Sequence, residues 1–232
     1  MKKITLLLLS VLFIATYSLQ AQKQFAGEIQ FQTKLEGTDD PNLSSSIPNQ
    51  TMNTSILGNK VKTVINIQEM YVVTNIWDGD KGTAAFVIEL MGMGKFYKKW
   101  NVEEYKEKVK FNDYSYRYEN EFKEVCGYKC QKAMATVTNL EDDSSSEFIM
   151  YVTKEIGTGK LNGAEFPDME GYPLITMTPI EQYCDECYMV IEATKITPKK
   201  IKEVDFLLPD DAKNIDENPE LKEMLKGVFG EE

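Results

Sequence analysis

The chain has 232 residues, 27% of them charged, with a formal net charge of −11 and no histidine. So acidic a chain excludes nucleic-acid binding, which needs a basic surface, and excludes charge-driven docking on anionic headgroups. Without histidine there is no Ser-His or Cys-His pair and no imidazole metal site. No carboxylate or nucleophile constellation replaces them, so no catalytic, cofactor or metal residue is assigned and a non-enzyme is expected.

Lys2 and Lys3 precede an apolar run over residues 4–14, and Leu19-Gln20-Ala21 supplies a cleavage site before Gln22. This is the pattern of a secretory signal peptide. The run is too short to span a bilayer, which takes about 20 residues. No cysteine stands at the cleavage point. The expectation is a signal peptide over residues 1–21 and a single exported domain over 22–232, periplasmic or secreted, without a lipid anchor or a later transmembrane segment.

Residues 25–35 alternate apolar and polar, with Ile29, Phe31 and Leu35 on one face, as in a half-buried strand. Residues 36–53, rich in Ser, Pro, Asp and Asn, read as a mobile loop. Strands are expected over 54–57 and 61–67 around the Gly58-Asn59 turn, and over 70–77 and 84–90 around residues 78–82. Asp78, Asp80 and Glu89 imitate three positions of a calcium loop. Gly82 and Thr83 stand where an oxygen ligand and a glycine belong, so a plain hairpin turn is expected. Gly92 to Lys95 break the strand pattern, and residues 102–108 suit one or two helical turns capped by Asn101.

In residues 114–125, Tyr114, Tyr116, Tyr118 and Phe122 share one parity and charged residues the other, giving a strand with an aromatic face. Cys126 and Cys130 then flank a three-residue loop centred on Gly127-Tyr128-Lys129, and residues 133–137 suit the return strand. Further strands are expected over 148–153, 174–178 and 188–196, with a long Gly- and Pro-containing loop over 157–173 crossing the sheet surface. Residues 201–208 read as a short extended piece. Asn218-Pro219 opens a helix over residues 218–229 whose stripe includes Leu221, Met224, Leu225 and Val228. It serves as core cover or as a movable lid.

Four cysteines in an exported chain point to two disulfides. Local pairs, Cys126–Cys130 and Cys184–Cys187, are favoured because each flanks a short turn. Cross-links between the two turns, a four-thiolate zinc site and a redox dithiol at Cys184 and Cys187 stay as alternatives.

The order of several short motifs resembles a known family. Gly127 to Ala133 (GYKCQKA), Tyr151 to Ile156 (YVTKEI), Gly171 to Ile175 (GYPLI), Ala193 to Ile196 and Phe206 to Pro209 resemble segments of the exported GLPGLI proteins, related to the outer-membrane lipoprotein carrier (LolA-like) fold. The resemblance implies a mainly β fold, a curved antiparallel sheet in a half-open barrel, with a helix across its mouth. The lipoprotein carriers hold acyl chains in that cavity. The expected function is therefore non-enzymatic binding of a lipid or lipidated protein, with Tyr114, Tyr116, Tyr118, Phe122, Leu221, Met224, Leu225 and Val228 as apolar-cleft candidates and no cofactor. The alternative is an envelope structural or interaction module with a side-chain-filled core.

Overall fold

A computed structural model describes residues 24–223 apart from 39, 41–42, 44–49, 68–70, 111, 164, 181–183 and 185. The expected signal peptide and residues 224–229 of the expected C-terminal helix, with Met224, Leu225 and Val228, lie outside the described residues. The strands are β1 (Ala26–Glu36), β2 (Thr51–Leu57), β3 (Lys60–Ile67), β4 (Tyr71–Asp78), β5 (Thr83–Leu90), β6 (Gly94–Trp100), β7 (Asn112–Val125), β8 (Tyr128–Asn139), β9 (Ser145–Thr153), β10 (Tyr172–Pro179), β11 (Tyr188–Pro198) and β12 (Lys213–Asn214), with helix α1 at Val102–Val109. All twelve form one sheet in the order β12-β6-β5-β4-β3-β2-β1-β11-β10-β9-β8-β7. The fold is mainly β, as expected.

Two antiparallel meanders, β2–β6 and β7–β11, meet at β1. This strand pairs with β2 on one side and β11 on the other. Its odd-numbered residues Ile29, Phe31 and Thr33 are buried, while Gln30, Gln32 and Lys34 face solvent. The period of 2 in the sequence thus becomes one inner and one outer face.

The sheet must curl. β6 and β7 are consecutive in sequence but ten strand steps apart in the sheet, about 48 Å if it were flat at ~4.8 Å per step. The link over residues 101–111, eight of them in α1, reaches only about 22 Å at helical and extended rises. The two edges therefore approach each other around a concave face. α1 forms where the sequence placed it: Asn101 Oδ1 accepts from the backbone N–H of Glu103 and Glu104, each at 3.0 Å, and Glu104 reaches back to Asn101 N at 2.8 Å.

Three expectations are corrected. β6 is a strand where the sequence reading saw only a break; three lysines in Lys95–Trp100 mask the alternation that buries Phe96 and Lys98. β2 begins at Thr51, inside the expected loop. Residues 203–206 form a 3-10 turn rather than extended chain, because this seats Ile201 and Phe206 on the outer-face side chain Ile76.

The cysteines divide. Cys184 and Cys187 are bonded, with Cα atoms 5.2 Å apart. Cys126 and Cys130 are not. The hairpin turn is two residues long, with Val125 paired to Tyr128 and Lys123, not Cys126, opposite Cys130. Cys126 and Gly127 take φ of 50° and 84°, the pattern of a type I′ turn, whose twist matches the strands. The Cys126 thiol instead donates to the Ala193 carbonyl at 3.3 Å.

Burial pushes the Cys130 thiol up to about 11 and also raises that of Cys126, which remains exposed. Native alkylation at pH 8 should therefore modify Cys126 slowly and spare Cys130. Denaturation without reductant should add Cys130 only. Recovery of a peptide joining residues 126 and 130 would refute this arrangement. A second test uses the turn itself. Asparagine tolerates positive φ far better than cysteine, so Cys126→Asn should raise stability by about 0.5–1 kcal/mol, read as a rise in Tm.

Candidate functional site

Cross-strand register arranges the inner face in rows. Phe31, Met52, Ile65 and Val73 are successive partners across β1–β4, and Ile56, Val61, Trp77, Ala84 and Trp100 are partners across β2–β6. Between them runs a polar row, Thr54, Thr63 and Asn75. The Thr54 and Thr63 hydroxyls lie 3.0 Å apart. Thr54 also shares a hydrogen bond with Tyr172 of β10.

These rows line a cavity of about 510 Å³, within the ~300–1,000 Å³ typical of small-molecule sites. Its walls come from β1–β6, from β10 and β11, and from the segment between β9 and β10. Strands so far apart in the sheet share one cavity only because the sheet is rolled. Both tryptophans of the chain, Trp77 and Trp100, line it.

The segment over residues 154–171 holds most of the loop expected over 157–173, whose last two residues instead open β10, and it acts as a strap. It leaves β9, crosses the concave face and reaches the β4–β5 turn. There the Lys160 carbonyl accepts the Trp77 indole N–H at 2.6 Å, and the Lys160 ammonium meets Asp80 at 3.2 Å. Leu161 is buried in the main core beside Ile156 and Val61. Farther along, Phe166 and Met169 pack on Ala133, Ala135 and Met150 of β8 and β9.

The predicted cleft residues separate accordingly. Tyr116 and Tyr118 lie on the inner face but under the strap: Tyr116 donates to the Pro167 carbonyl at 2.8 Å, and Tyr118 accepts from Glu170 N at 2.7 Å. Burial raises the hydroxyl pKa of both. Tyr114 accepts from Asn112 at 3.4 Å. Phe122, beyond a bulge, is 47% exposed with the Lys129 ammonium 4.1 Å from its ring centre. Leu221 is buried against Ile88, Phe96 and Ile215, where Asn218 Oδ1 caps its backbone N–H at 3.1 Å. The start of the C-terminal helix thus covers the β5–β6 part of the concave face. None of these residues lines the open cavity.

The cavity residues Thr54, Thr63, Asn75, Asn162 and Glu165 were not singled out in the sequence. Thr54 and Thr63 carried a signal, standing at inward parity between apolar neighbours. Asn162 and Glu165 carried none, because their placement depends on where the strap lands. Glu165 is solvent-accessible yet surrounded by the cavity walls, and this desolvation raises its carboxyl pKa. Burial also raises the Tyr172 hydroxyl, and the charge of Glu165 adds to the effect.

Elsewhere, Asp78 of the calcium-like turn accepts from Asp80 N and Lys81 N at 3.2 Å, and Asp80 accepts from Asn59 at 2.8 Å. Those carboxylate oxygens hold the β4–β5 turn together. Among the described residues no helix is long and apolar enough to cross a membrane.

No family model and no curated protein sequence matches the chain, so the GLPGLI likeness remains one of short motifs. Among solved structures, the crystal structure of Mycobacterium tuberculosis lipoprotein LppX is similar, with 11% identity, 83% of this chain and 97% of that chain covered, and a TM-score of 0.35.

Proposed function

We propose that this chain is an exported, non-catalytic binding protein that holds an apolar molecule inside its rolled sheet. The observation that carries the reading is the half-filled concave face. Under β7–β9 the strap supplies Phe166 and Met169 as filling, whereas over β1–β5 a cavity of about 510 Å³ stays open behind walls that include Phe31, Met52, Ile65 and Trp77. A well-packed interior leaves few voids larger than a water. A persistent apolar hollow of ligand size is therefore the signature of a binding site.

The tryptophans supply the test. Titration with a single-chain apolar probe should shift tryptophan emission to the blue and saturate near one probe per chain. Trp100→Phe and Trp77→Phe should each remove part of the signal. An emission spectrum unmoved by every alkyl probe, together with an apo mass in native mass spectrometry, would refute the reading. That result would favour an interaction module, for which the strap-filled half of the face already provides the packing.

A further inference from the structure

The polar groups of the cavity have a chemical bias. Among the described lining residues the one charged group is Glu165, and no lysine or arginine is among them. Lys98 also points inward from β6, but its ammonium lies 5.9 Å from the ring centre of Trp100, and the residue does not line the cavity. The remaining polar lining includes Asn162, held in one orientation because its amide NH2 donates to the carbonyls of Gly171 at 2.9 Å and Met169 at 3.4 Å. This leaves its Oδ1 as an acceptor. That oxygen is enclosed by the protein and out of reach of a molecule in the cavity, so the acceptor open to the cavity is the Glu165 carboxylate.

Resting on the binding role proposed above, we propose that the cavity selects a single-chain amphiphile whose uncharged head donates hydrogen bonds, of the monoacylglycerol or long-chain alcohol class. A hydroxyl of such a head donates to the Glu165 carboxylate while its chain lies along the apolar rows of β1–β4. A fatty-acid carboxylate brings acceptors and negative charge to a wall that already holds both. A fatty ester without a hydroxyl fills the apolar space and offers the Glu165 carboxylate no donor.

Three probes of equal chain length separate these cases: 1-monododecanoylglycerol, methyl dodecanoate and dodecanoate, each followed by tryptophan emission on the full chain at pH 7.5. The glycerol ester should bind about tenfold tighter than dodecanoate, the scale of one hydrogen bond to a charged group, with the methyl ester between them. Glu165→Gln, on a solvent-accessible strap position, should narrow the gap between glycerol ester and dodecanoate while leaving methyl dodecanoate unchanged. Equal or tighter binding of dodecanoate, or a methyl ester that matches the glycerol ester, overturns the head-group assignment and leaves the binding role standing. Failure of all three probes overturns the binding role itself.

Discussion

Ile29→Ala is expected to lower stability by about 2–5 kcal/mol, the range for deleting a fully buried aliphatic side chain. Ile29 has no exposed surface and belongs to the main core with Phe31, Ile56, Leu174 and Val190. Its strand is also the seam of the molecule, with Thr54 of β2 as partner on one side and Ile196 of β11 on the other. The cavity left by the substitution therefore weakens the joint between the two meanders, with no alternative strand pairing to take its place. For a chain of this size the loss corresponds to a fall in Tm of roughly 5–15 °C at ~2–4 °C per kcal/mol. Gln30→Ala, one residue along and facing solvent, should stay within about 0.5 kcal/mol. A loss below about 1 kcal/mol for Ile29→Ala would mean that the seam is not close-packed.

The contrast between those two neighbours is the kind of information a sequence carries well. Alternation in residues 25–35 is local, and it fixed β1 and its buried face before any partner was known. The same holds for the inward parity of Tyr116 and Tyr118 and for the Asn101 cap. What failed was non-local or masked. Whether the tyrosine face lines a hollow or a packed layer depends on where Phe166 and Met169 land, nearly 50 residues downstream, and no periodicity encodes that. β6 was hidden because Lys98, buried on the inner face, breaks the apolar pattern of its own strand. The cysteine hairpin failed for a third reason. Equal spacing from a turn suggested facing cysteines, but the twist of paired strands favours a two-residue turn with positive φ at both positions. This moves Cys126 into the turn and out of register with Cys130. The open cavity was least legible of all, since its polar members come from β2, β3, β4, β10 and the strap.

Gly79→Ala should unseat the strap, with effects on both stability and access. Gly79 lies in the β4–β5 turn, and a methyl group there would stand 2.1 Å from the Lys160 carbonyl oxygen and 3.0 Å from that of Asn59. Both neighbours are backbone, so the clash cannot be relieved by a side-chain rotation. The Lys160 carbonyl is also the acceptor for the Trp77 indole N–H. Moving it away breaks that hydrogen bond and loosens the Lys160–Asp80 ion pair, while Leu161 is drawn from the core. The expected loss is about 1–3 kcal/mol, set by the indole donor and the disturbed packing. Asp80→Ala, which removes the exposed ion pair and the Asn59 contact but leaves the carbonyl in place, should cost clearly less, because solvent screens an exposed pair. Three readouts belong together in Gly79→Ala: faster tryptic cleavage at Lys160, a red shift of tryptophan emission as Trp77 gains water, and faster release of a bound alkyl probe. Cleavage at Lys160 and probe release both unchanged from the parent would show that the strap does not guard the cavity.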